Sequence, residues 1–175
     1  MTPYSPISLP EGYTHQKVQL HADSIVVLAV STDDPQLTML FVRKRDSETL
    51  RPVALSSRAL AKDFVAFPSL GVFILTASVA ERGGGRTAWD DFQILNLSLD
   101  SFAIRTVYSS ENWERRGVSF PISFLGCSPD GRRLALACGQ HVSPGNSAAL
   151  DYRIGFLDPI SGELELAERL PGLVF

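Results

Sequence analysis

The chain has 175 residues, 45% hydrophobic and 20% charged, with a formal net charge of −3 and a pI near 5.6. This apolar content suits one globular domain and excludes a disordered or collagen-like chain, while 16 basic against 19 acidic residues give no global field for nucleic acid or anionic lipid. The longest apolar stretch, Val65 to Ala80, is broken by Pro68, Ser69 and Gly71 and falls short of a membrane span, and the opening MTPYSPISLPEGY lacks the pattern of a secretory signal, so a cytoplasmic address is expected.

Residues 1–14 read as an irregular N-terminal segment, and 15–175 as an unbroken series of strands. The first group, 15–57, comprises QKVQLHA, IVVLAVS, a turn at Asp33-Asp34-Pro35, LTMLFVRK, a turn at Asp46-Ser47-Glu48, and LRPVALS. The second, 60–109, places VFILTAS after Pro68, then a strand through Phe92-Gln93-Ile94, a turn at Leu99-Asp100-Ser101, and FAIRTVY. The third, 121–170, opens on FLGCSPDGRRLALACG. There Pro129 presets φ for a turn, Asp130 can bond back to the backbone and Gly131 accepts positive φ. A second hairpin follows, YRIGFLDPISGELELAERL, turning at Asp158 to Gly162.

Pro68 and Pro129, like Phe92 and Tyr152, stand about 60 residues apart, so the groups are repeats. The second strand of each, IVVLAV, VFILTA and RLALAC, is apolar at nearly every position where a half-exposed strand would alternate. Such a strand is expected to be buried on both faces. The reading is all-β: consecutive four-stranded antiparallel meanders stacked face to face, a partial β-propeller of about three blades. Ser128-Pro129-Asp130-Gly131-Arg132 before an apolar strand, followed by Asp158 to Gly162-Glu163 between the third and fourth strands, resembles blades of β-propellers of the TolB-like and WD-repeat kinds. The resemblance implies a binding or scaffold module, or alternatively a fragment or accessory domain of a propeller-containing hydrolase of lactonase or peptidase type.

Three blades do not close a ring, because propellers typically have 4 to 8. An open arc that exposed several hundred Å² of apolar surface at each end would lose on the order of 10 kcal/mol at ~25 cal/mol/Å², comparable with the stability of a domain. Further blades of a longer propeller, a homodimer, or another all-β arrangement would each remove that cost. The apolar ending PGLVF favours the first.

Antiparallel alternation puts short turns at one end of the stack and long connections at the other, the working end expected for a protein partner. The long connections are Glu81 to Asp90, Ser109 to Pro121 and Gly139 to Asp151. They carry Trp89, Trp113, Arg82, Arg86, Arg115, Arg116 and His141, and aromatics and arginines are the types enriched at recognition hot spots. These seven residues are the candidate binding set.

No catalytic residue, metal site or cofactor is expected. Cys138 should face a residue near Ile122, too far from Cys127 for a disulfide, so both are expected to be free, buried thiols. His15, His21 and His141 lack ligand spacing. Gly126-Cys127-Ser128 begins like a nucleophile elbow, but Asp130 occupies the final glycine position, so Ser128 reads as a turn residue. Gly83-Gly84-Gly85 lacks phosphate-loop spacing, Asn96-Leu97-Ser98 falls in a strand, and the adjacent pairs Asp33-Asp34 and Asp90-Asp91 point to opposite faces of a strand.

Overall fold

The computed structural model describes residues 7–34, 36–55, 59–67, 70–82, 86–110, 119–128, 130, 132–141 and 150–167, with backbone alone for 79–82, 86–90, 141 and 150. Twelve strands and no helix occur among them. The first sheet holds β1 (Tyr13–His21), β2 (Ser24–Ser31), β3 (Thr38–Lys44) and β4 (Arg51–Pro52). The second holds β5 (Ala59–Phe67), β6 (Gly71–Arg82), β7 (Arg86–Leu97) and β8 (Ile104–Ser109). The third holds β9 (Ser119–Cys127), β10 (Leu134–His141), β11 (Leu150–Leu157) and β12 (Leu164–Leu166). Each sheet is an antiparallel meander in chain order, none is closed into a barrel, and the three together have the form of propeller-like blades.

Each sheet has a forward face, toward the next sheet, and a backward face. Val26, Leu28, Leu40 and Val42 on the forward face of the first sheet pack against Val72, Ile74, Leu95 and Leu97 on the backward face of the second. Phe73, Leu75 and Ile94 on the opposite face of the second sheet pack against Leu134, Leu136, Cys138 and Leu157 of the third. Val72 to Leu75 are therefore four consecutive residues with at most 1% exposure, two pointing each way. That is why β6 is continuously apolar. Continuous burial also holds for Ser24 to Ala29, because the backward face of the first sheet, Ile25, Val27, Ala29 and Phe41, is covered by Ile7, Leu9, Tyr13 and Leu50. Ile7 and Leu9 belong to the segment expected to be irregular; their contribution is a strap over the first sheet.

The third sheet departs from the expectation. In β10 Leu134, Leu136 and Cys138 are buried, but Ala135 and Ala137 are only half-buried, so this second strand alternates. Cys138 pairs with Pro121, beside the expected Ile122, and Cys127 pairs with Leu134. Both thiols are free, but only Cys138 is buried; Cys127 is exposed at the end of β9, contrary to the expectation.

The first strands β1, β5 and β9 approach one another along the inner edge, and each carries a bulge at the corresponding position: Gln16, Lys62 and Ile122 are skipped in the pairing. The residue after the bulge links one sheet to the next. Lys17 Nζ donates to Phe64 O at 2.7 Å and to Asp63 Oδ1 at 2.7 Å, and lies 5.2 Å from the Phe64 ring centroid. Asp63 Oδ1 also accepts its neighbour's amide, Phe64 N–H, at 2.8 Å, while Oδ2 accepts Phe124 N–H of the third sheet at 2.8 Å. One carboxylate thus holds all three inner strands. At the short-turn end Gly162, at φ +76°, lies so close to Val107 O that a Cβ would collide with it, and Arg105 Nη2 donates to Pro159 O at 3.1 Å.

Removing the Asp63 carboxylate orphans backbone donors on two sheets. Asp63→Ala is therefore expected to lower unfolding free energy by about 3 kcal/mol in a urea titration. Lys17 is 39% exposed, and Lys17→Met should cost only about 1 kcal/mol. Gly162→Ala, which must hold an alanine at positive φ against Val107 O, should cost at least about 1 kcal/mol.

Candidate functional site

The meander fixes which connections share an end. Those at 31–38, 52–59, 82–86, 109–119 and 141–150 gather at one end of the stack, and the turns after β1, β3, β5, β7, β9 and β11 gather at the other. Of the candidate set, Trp113, Arg115 and Arg116 lie outside the described residues. Arg82, Arg86, Trp89 and His141 are placed by their backbone.

The segment Glu81 to Asp90, expected as a long loop, is instead mostly strand. β6 and β7 stay paired through Val79↔Trp89, Ala80↔Ala88, Glu81↔Thr87 and Arg82↔Arg86, leaving only 83–85 between them. Pairing with β5 stops at Ser78 and pairing with β8 at Gln93. Beyond those positions the two strands form a ribbon that projects from the sheet with no third strand beside it among the described residues. Val79, Thr87 and Trp89 favour extended backbone, which accounts for the change from loop to strand. The register sets Arg82 directly opposite Arg86 at the tip, with Trp89 nearer the sheet across from Val79. His141 ends β10 opposite Leu150, on the neighbouring sheet at the same end.

Below this end lies a repeated polar device. Gln93 Nε2 donates to Asp91 Oδ2 at 2.7 Å, and at the matching place in the third sheet Arg153 Nε donates to Asp151 Oδ2 at 3.0 Å. Each pair is two residues apart on a strand and so shares a face. Asp151 is only 8% exposed and is neutralised by Arg153, and Asp91 also accepts from Ser109 Oγ. Tyr108 O–H donates to Ser119 O at 3.0 Å, tying the start of β9 to the end of β8. Burial, then the Cys138 and Asp91 charges, push the Tyr108 phenol up to about 12, and burial pushes the Cys138 thiol up to about 12. A thiol so placed stays protonated at neutral pH and is no nucleophile. Gly155 makes room for it, since a Cβ there would lie 2.7 Å from Cys138 Sγ.

At the short-turn end a cleft of about 380 Å³ opens between the first two sheets, lined by His21, Asp23, Lys44, Gly71, Ser98 and Asp100 among others. Lys44 Nζ stands between two carboxylates, 3.5 Å from Asp23 and 3.7 Å from Asp100. The Ser24 hydroxyl, with Lys44, holds the Asp23 carboxyl below its usual range. The cleft is polar, with one lysine set against two carboxylates. Ser128 is a turn residue: Oγ donates to Asp130 Oδ1 at 2.6 Å and accepts Arg133 N–H at 2.9 Å. Asn96 is a buried strand residue whose amide donates to Leu70 O at 2.8 Å. Among the described residues no group of three or more His, Cys, Asp or Glu could hold a metal ion, and no helix is long and apolar enough to cross a membrane.

Compared with known proteins, the chain matches no family model, no curated protein and no solved structure. The residues that sequence reasoning missed are Lys17, Asp63, Asp91 and Asp151. The last two were within reach: extending the match of Phe92-Gln93-Ile94 with Tyr152-Arg153-Ile154 by one residue brings Asp91 over Asp151. Lys17 and Asp63 differ in charge at one repeat position, so no sequence match could align them.

The two cysteines provide a test of this electrostatic layout. In native protein at neutral pH, a thiol reagent should modify Cys127 at least ~100-fold faster than Cys138, with both reacting equally in denaturant. Fast native labelling of Cys138 would mean that the interface between the second and third sheets opens readily.

Proposed function

We propose that the chain is a propeller-type binding or scaffold module that recognises a protein partner through the connections at one end and performs no catalysis of its own. The observation supporting this most directly is the β6–β7 ribbon. A two-stranded ribbon without a flanking strand is marginal in water, and this one projects from a sheet buried on both faces. A rigid base and an under-supported arm form a device that gains order by docking. Trp89, Arg82 and Arg86 lie on the arm, so its composition is that of a recognition element. Its place among TolB-like or WD-repeat-like propellers rests on the Ser128 to Arg132 turn and the Asp158 to Glu163 turn, and its working compartment is the cytoplasm. No nucleic acid or membrane is engaged on this reading, given the balanced charge.

The test is to replace residues 80–88 with an Asn-Gly turn, which closes the hairpin near the sheet. The shortened chain should unfold within a few degrees of the native Tm, because the core residues of β6 and β7, Val72 to Leu75 with Ile94, Leu95 and Leu97, lie outside the deletion. Partners recovered by affinity capture from the native cell should be lost, and Trp89→Ala should reduce recovery at least ~10-fold. Undiminished capture by both variants would refute the reading.

A further inference from the structure

The two ends of the three-sheet stack are finished differently. The backward face of the first sheet is covered by the chain's own Ile7, Leu9, Tyr13 and Leu50. On the forward face of the third sheet, Ala135 and Ala137 of β10 pair with Phe156 and Ile154 of β11, and all four are half-exposed; Tyr152, opposite Gly139, is 45% exposed. This surface is the third member of a series whose first two members are interfaces. Its positions correspond, pair by pair, to Val26, Val42, Leu28 and Leu40 of the first sheet and to Phe73, Asn96, Leu75 and Ile94 of the second. Ser123 follows the third bulge as Lys17 and Asp63 follow the first two, yet makes no side-chain hydrogen bond among the described residues.

The third face also differs in relief. In the second sheet both middle strands carry bulk, Phe73 and Leu75 beside Ile94 and Phe92; here the third strand keeps it, as Ile154 and Tyr152, while the second strand has only Ala135 and Ala137. Tyr152, Ile154 and Phe156 form a ridge beside a trough floored by Ala135 and Ala137. A two-fold axis between two such sheets, parallel to the strands and midway between β10 and β11, sets each ridge over the other's trough. A surface that complements itself in this way suits an isologous contact. A head-to-tail ring is not open to a second copy, because the face it would need is already under the strap.

We infer that the forward face of the third sheet is a homodimer interface, in which two copies of this chain pack face to face with Ile154 and Phe156 of each in the Ala135–Ala137 trough of the other and Tyr152 at the trough's end, over Gly139 and its neighbours Phe120 and Ile122. At ~3.3 Å per residue and ~4.8 Å between strands, the three long strands β9, β10 and β11, each of about eight residues, span roughly 400 Å² per copy. The pair covers about 800 Å² in projection, under the ~1,000 Å² expected of a stable interface, so the dimer is a weak, concentration-dependent one. This contact does not depend on the β6–β7 ribbon and stands or falls apart from it.

Sedimentation velocity from ~1 to ~200 µM should show the mass rising toward twice 19.1 kDa. Ala137→Arg should fill the trough and weaken association at least ~30-fold, and Tyr152→Glu should do the same in a chain that still unfolds in one cooperative step. Ile160→Glu, at the most exposed large apolar residue among the described residues (76%) and on the short-turn end, should leave the dimer intact. A single-chain mass at every concentration would assign the face to some other sheet and overturn the inference. So would dimerisation that survives Tyr152→Glu.

Discussion

Val72, Phe73, Ile74 and Leu75 are consecutive, inaccessible, and directed alternately to opposite sides of one sheet. Such a strand can be satisfied only if its sheet has a neighbour on each side, and this constraint organises the molecule. It places the first sheet against Val72 and Ile74 and the third against Phe73 and Leu75. Directional groups are also needed, because apolar contact alone does not fix how far one sheet slides over another. The Asp63 carboxylate supplies direction, accepting from Lys17 on one side and from Phe124 N–H on the other.

Lys17 and Asp63 occupy the same place after a bulge, and each reaches the backbone of the next inner strand. One is a donor to a carbonyl and the other an acceptor from an amide. The repeat therefore preserves a geometric role while exchanging its chemistry, which a backbone permits because it offers both groups at each residue. The bulge makes the reach possible by re-aiming the side chain out of the pleat toward the adjacent sheet.

Most of the fold was legible because it is written in local patterns. Turn residues around Ser128 and Asp158 marked two hairpins, and the apolar runs at Ile25 to Val30 and Val72 to Ala77 marked the strands buried on both faces. The reading failed where the determinant lay elsewhere in the chain. RLALAC looks like VFILTA, but alanines are ambiguous about burial, and with no further sheet on that face among the described residues Ala135 and Ala137 stay half-exposed. Ile7 and Leu9 lacked any periodicity, since a strap needs only two anchors. The candidate site was legible as a region, the long-connection end, but not as geometry. Glycines at 83–85 suggested a loop, whereas β-formers on both sides extend the hairpin to Arg82 and Arg86.

The asymmetry between the stack's two ends bears on how the module can work. A sheet face satisfied by its own chain, as Ile7 and Leu9 satisfy the first, is closed to partners at no concentration cost. A half-exposed face of Ala, Ile and Phe is not so closed, and its association follows mass action. The connections lie at one rim of the stack, perpendicular to both sheet faces, so a partner held by the β6–β7 arm need not compete with a sheet docked on β9–β12. Two copies joined through that face would present two arms on one rigid body, and a partner with two binding sites would then be held by avidity, its second contact intramolecular.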